Sequence, residues 1–192
     1  MAIRNITVRG DEILAKKCKP VKEITPHIKE IIEDMVETMK EAEGVGIAAP
    51  QVGIMKRFFV AMPHAFAEDE ETRGKLYYMI NPEITYTEGT QESCEGCLSV
   101  PGYMGIVDRP MKIRIKATGL DGEEQEYEFE GFEATVFCHE YDHLEGILYP
   151  DVAKEMMTEE EYEARVEAER AEQGEGESAE QVEGAGEPEE RI

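Results

Sequence analysis

At 192 residues the chain has the length of one domain with a sizeable core and room for an extra tail. Its net charge of -24 repels phosphate and gives nucleic-acid binding no support, and no run of about 18 apolar residues is present to span a membrane. The start, MAIRNITVRG, lacks the basic-then-apolar pattern of a secretory signal, and Cys18, Cys94, Cys97 and Cys138 are irregularly spaced, which predicts a cytoplasmic protein with free or metal-binding thiols rather than a disulfide scaffold.

The first predicted element is a helix in TPHIKEIIEDMVETMKEAEG. Thr25 caps it, Pro26 suits its first turn, and Ile28, Ile31, Ile32, Met35 and Met39 repeat at helical spacing on one face. Gly44 is placed to end it. GVGIAAPQVG, residues 44–53, holds three Gly and a Pro in ten residues and predicts a tight irregular segment. KRFFVAM (56–62) predicts a strand, the acidic stretch 67–75 a loop, and KLYYMINPEITY a second strand interrupted at Pro82. Ile113, Ile115 and Ala117 alternate with charged residues, and Tyr127 and Phe129 share a face of QEYEFEG; with Asp121-Gly122 at the bend this is a β-hairpin. GFEATVFCHEYDHLEG returns to helical period, with Phe132, Val136, His139, His143 and Gly146 near one face. A last helix is expected over about 155–172, and the Glu/Gly-rich run 172–190 is predicted to be disordered. Residues 155–192 carry 15 Glu against 3 Arg, half of the chain's net charge. The expected architecture is α+β: mostly antiparallel sheets packed around a central helix, one folded unit over 1–154, and an acidic helix and tail over 155–192.

HEYDH, residues 139–143, concentrates the chemistry. On a helix, His139 and His143 are about 6 Å apart along the axis and turned by about 40°, so both can reach one metal, while Glu140 lies about 100° round, beside the ion rather than on it. That suits a general base for an activated water. A buried His pair without compensation is costly, and a metal supplies the compensation. Asp142 suits either a hydrogen bond to an imidazole or a cation elsewhere. A catalytic metal takes three protein ligands and leaves one position open. Glu145 is too close in sequence to supply the third, and Glu155 and Glu159 lie in a general acidic segment; ESCEGCLSVPG is the better source. Two arrangements remain open there. Cys94 and Cys97 with both His would close a structural zinc site, making a binding module; one Cys with water in the fourth position would make an enzyme. The closed site needs a turn at Glu95-Gly96, because residues three apart on a strand face opposite ways, and it has no use for Glu140.

GVGIAAPQVG, EGCLS and HEYDHLEG occur in this order, with starts roughly 45 to 50 residues apart. Together they resemble the three signature motifs of peptide deformylases, and the resemblance runs from about residue 1 to about 150. It implies that Cys97, His139 and His143 bind one divalent metal, Fe(II) with Ni, Co or Zn as substitutes, and that Cys94 does not. The implied reaction is hydrolysis of the N-formyl group from newly made polypeptides that begin with formyl-methionine. Glu140 is the implied proton carrier, and the Gln51 side-chain amide and the Leu98 backbone N–H the implied oxyanion donors. Backbone near Val45, Gly46 and Gly96 would pair with the substrate as an added strand, and Val45 and Val136 would wall the methionine pocket. Two departures stand out. Met104 occupies a place where many such enzymes carry a basic residue, with Arg109 only later. The acidic 155–192 segment gives no support to docking on the ribosome. Cys138, turned about 100° from His139, is read as core.

Overall fold

The computed structural model describes residues 2–66 and 74–176. Residues 67–73 of the expected acidic loop and 177–190 of the expected disordered run lie outside the described residues. The chain folds as α+β, with antiparallel strand pairs in two sheets and three α-helices among the described residues.

The first helix, α1 (Pro26–Glu41), begins where the sequence stops it from beginning earlier. Thr25 is extended and its hydroxyl accepts the Ile28 N–H, while Pro26 fills the first position, where its missing N–H costs nothing. The helix buries Ile31, Ile32, Met35, Val36 and Met39, and the Gly44 N–H closes its end on the Met39 carbonyl. The buried face packs on a short strand, β1 (Gly46–Ala48), and its neighbour β2 (Phe58–Ala61). Ile47, Phe58, Val60 and Ile80 share one apolar cluster with that face.

Strands β1, β2, β3 (Tyr77–Glu88), β6 (Lys112–Thr118) and β7 (Glu124–Glu130) form a five-stranded sheet in that order. Pro82 does not interrupt β3, as the sequence had suggested. The strand continues through it with a register shift between Ile80 and Glu83. Asn81 takes a positive φ of 51° there and uses its side-chain amide to accept the Val21 N–H and donate to the Val21 carbonyl, so the irregularity is bonded rather than open. The hairpin of β6 and β7 pairs Ile113 with Phe129 and Ile115 with Tyr127, with Gly122 at φ +85° in its loop.

A second sheet holds β4 (Gln91–Glu95), β5 (Tyr103–Arg109) and β8 (Glu155–Thr158), in the order β4-β5-β8. The helix expected from about residue 155 therefore begins later, as α3 (Glu159–Gly176), because Glu155–Thr158 pair with Tyr103–Ile106 instead. Met157 is opposite Met104, and both are buried. This pairing overrides the helical composition of the segment.

The helix α2 (Phe132–Glu145) touches β1, β2, β7 and β5, and so meets both sheets. Every residue from Ala134 to Glu140 is buried, with His143 and Leu144. It is thus covered on most sides rather than presenting one apolar face to a single layer. Gly146 ends it at φ +78°, where a Cβ would lie 2.7 Å from the Ala15 backbone.

Candidate metal centre

Two chain segments bring three candidate ligands together. The α2 helix contributes His139 and His143, whose rings stand 5.1 Å apart between centroids, as a spacing of four residues requires. Cys97 comes from the turn that follows β4, and its Sγ is 3.3 Å from His143 Nε2. One potential ligand atom from each of the three lies within 4.8 Å of the others, and all three residues are buried. Cys94, inside β4, is not part of this cluster, and the closed four-ligand arrangement is not favoured.

The surroundings fit a cation. Burial disfavours a charged imidazole at His139, yet the Cys97 sulfur and the Glu95 carboxylate beside it hold its pKa well above the usual range. The pocket thus stabilises positive charge next to the thiol, the charge a divalent ion brings. Burial, reinforced by His139, pushes His143 down to about 4, which keeps it neutral and able to donate a lone pair. One thiolate and two imidazoles suit several first-row metals.

Glu95 was missed by sequence reasoning, which treated it as a turn residue. It ends β4 fully buried, and its Oε2 is 2.9 Å from His139 Nδ1. A proton on Nδ1 leaves Nε2 free to bind metal. Arg109, across the sheet on β5, donates to both Glu95 oxygens at 2.6 and 2.8 Å and to Asp142 at 2.6 Å. Burial opposes the Glu95 charge, but the Arg109 and His139 hydrogen bonds overcome it and bring its carboxyl down to about 2. Asp142 therefore neutralises a cation rather than bonding an imidazole. A buried acid two residues before Cys97 was the available signal, but its partners depend on β-register and could not be read locally. Met104 is buried opposite Met157, so it offers no charge at that place, and Arg109 is committed to Glu95 and Asp142.

Glu140 is 1% exposed, and burial raises its pKa to about 7. Its Oε2 has no hydrogen-bond partner among the described residues. A carboxyl poised near neutrality can both take and give a proton. It presses on β1: a Cβ at Gly46 would lie 2.4 Å from Glu140 Oε1. Gln51 is buried in the 3-10 turn after β1, with its Nε2 3.6 Å from Cys97 Sγ. Leu98, half-buried, follows Cys97 directly, and Gly96, buried, precedes it. Val45 and Val136 are fully buried in one apolar cluster. Cys138 is buried in the same cluster, and desolvation lifts its thiol to about 12, so it stays protonated and inert.

Comparison with known proteins gives a consistent picture. The polypeptide deformylase family profile matches residues 3–159. The peptide deformylase of Thermoanaerobacter pseudethanolicus is 46% identical over 163 residues, covering 85% of this chain and 97% of the relative. Peptide deformylase 1 of Clostridium perfringens is 49% identical over 151 residues, covering 79% and 98%. The crystal structure of peptide deformylase from Thermotoga maritima superimposes with a TM-score of 0.74 at 40% identity, covering 81% of this chain and all of that one.

Proposed function

Because the chain belongs to the polypeptide deformylase family, we propose that its buried Cys97–His139–His143 cluster is the metal site of an enzyme that hydrolyses N-formylmethionyl peptides. The chain is a peptide deformylase: it removes the formyl group from the N-terminal methionine of newly made polypeptides. The observation that supports this centre is the position of Glu140, which is buried next to the three donors and is not one of them. A closed structural site would leave that carboxyl without a purpose.

Cys97, His139 and His143 would hold a divalent metal, Fe(II) by preference with Ni, Co or Zn as substitutes, which would supply Lewis acidity and lower the pKa of water. Glu140 takes the proton of the attacking water and passes it to the departing amine, which leaves as the free N-terminus while the formyl carbon leaves as formate. The Gln51 amide and the Leu98 N–H donate to the oxygen that gains charge as water adds. The edge of β1 around Val45 and Gly46, with Gly96 opposite, receives the peptide backbone as an added strand, and Val45 and Val136 line the methionine pocket.

The catalytic unit, expected over residues 1–154, is extended here to Thr158, since β8 completes the second sheet. None of the three candidate ligands comes from the acidic segment beyond. Its Arg165 is paired with Glu155 and Glu169. A substrate on nascent chains supports a cytoplasmic location; no described helix is long and apolar enough to cross a membrane.

The test is formate release from a formyl-Met peptide by anaerobically prepared, iron-loaded protein, with metal content measured on the same sample. Turnover at one metal per chain is expected, with an acetyl-Met peptide left intact. A fully loaded protein that releases no formate would overturn the reading.

A further inference from the structure

Ser99 is fully buried two residues after Cys97, and the mechanism above gives it no task. Its contacts suggest one. The Gln51 side-chain amide is held at both ends: Oε1 accepts the Ala48 N–H at 2.7 Å, and Nε2 donates to Ser99 Oγ at 3.2 Å. The contact at Ala48 alone fixes which end of the amide carries oxygen, because a flipped amide would set N–H against N–H in a buried place. It restrains the plane of the amide only loosely, because the terminal torsion is broad and soft. The Ser99 hydroxyl engages one of the two Nε2 hydrogens and so sets that plane. The other hydrogen is then directed to the Cys97 side, where Nε2 lies 3.6 Å from Sγ.

We propose that Ser99 is a positioning residue that holds the Gln51 amide in the plane from which it donates into the metal centre. This rests on the deformylase reading of Gln51. The backbone of Ser99 supports the same arrangement. Its N–H points to Cys97 Sγ at 3.4 Å, a weak bond that turns the sulfur toward the amide. Its carbonyl accepts the Arg9 N–H at 2.7 Å, and the Gln51 carbonyl accepts the Thr7 N–H at 2.7 Å. Residues 7 and 9 thus stitch the loop that carries Gln51 to the turn that carries Cys97. The alanine variant keeps these backbone bonds and removes only the hydroxyl, so it isolates the contact to Gln51.

Two measurements test the proposal on the full chain. In the nickel-loaded enzyme, Ser99→Ala should lower kcat by about 10-fold, less than the hundred-fold or more expected for removing an oxyanion donor. KM and metal content should stay within about two-fold of wild type. In a Gln51→Ala background the same substitution should have no further effect, because the group it positions is gone. Equal fold losses in both backgrounds would show that Ser99 acts structurally and not through Gln51. The second measurement needs no turnover: hydrogen exchange at the Gln51 side-chain amide of the zinc-loaded protein, assigned by its absence in Gln51→Ala. Wild type should show slow exchange that becomes at least 10-fold faster in Ser99→Ala. Unchanged exchange would overturn the proposal. If Ser99→Ala does not fold, Ser99→Cys, whose sulfur is only a weak acceptor, replaces it in both measurements with the same expected and overturning results. A wild-type enzyme without deformylase activity would sink the function reading, while the amide measurement would still decide the role of Ser99.

Discussion

Gly46 and Glu140 compete for one volume: a methyl group on residue 46 would lie 2.4 Å from the Glu140 carboxylate oxygen and 2.7 Å from its carboxyl carbon. The backbone of β1 therefore forms one wall of the seat of Glu140, the proposed general base. The glycine pattern of GVGIAAP serves an internal side chain as well as any ligand that approaches from outside. Gly46→Ala should displace the carboxylate, keep the metal, and lower kcat by about a hundred-fold, the lower range of what general acid–base catalysis contributes. Metal analysis and steady-state rates on the nickel form would check it. An active Gly46→Ala enzyme would mean that Glu140 has room to spare.

Glu140→Ala should retain nearly one metal per chain and lose formate release by about 10²–10⁴-fold. The carboxyl lies outside the ligand set, so binding survives while proton transfer fails. Unchanged turnover would remove Glu140 from the mechanism.

Glu95→Gln should weaken metal binding by about 10–100-fold, the usual effect of losing a carboxylate that orients a ligand imidazole. Competition with a chelator measures this. The ion-pair chain also makes a pH prediction. The Glu95 carboxyl sits at about 2 in the folded protein against an ordinary 4.5. A depressed pKa contributes stability that is complete above 4.5 and is lost as pH falls toward 2. Melting curves between pH 6 and 3, run on the metal-free protein, should show a steeper acid loss for wild type than for Glu95→Gln.

How much of this was legible differed from element to element. The α1 cap at Thr25, the 113–129 hairpin and the Gly146 stop are local signals, and they stand where the sequence placed them. His139 and His143 come together because a spacing of four residues sets them on one helix face. Glu95, Arg109 and Ser99 were not legible. Their partners lie across a strand pair or 44–48 residues away, so only tertiary register brings them together. The segment 155–158 misled because its composition is helical while its environment is a free strand edge on β5. Pro82 misled because a register shift and the Asn81 clasp absorb it.

That strand changes what truncation should do. A chain ending at Lys154 loses β8 and uncovers Met104, and the lost burial of Met157 alone costs about 1.5–3 kcal/mol. A drop in Tm of about 5 °C or more is expected. A chain ending at Glu159 should melt and turn over like the full protein. A large rate loss in that longer chain, with metal bound, would show that α3 builds part of the site.

Were Fe(II) the ion held by Cys97, His139 and His143, oxygen would oxidise it and attack the adjacent thiolate. Activity of the iron form should decay in air, while the nickel form at equal metal content should persist. Identical decay would trace the loss to something other than iron, such as unfolding.

The assignment of one thiolate and two imidazoles to an open metal site is tested most directly by paired substitution of the two cysteines of the second motif. Metal content and formate release are measured together on Cys97→Ala and Cys94→Ala, each purified under the same anaerobic conditions. Cys97→Ala should be metal-poor and inactive, whereas Cys94→Ala should hold one metal per chain and release formate at the wild-type rate. Equal metal loss in both would point instead to a closed four-ligand zinc site and contradict the account.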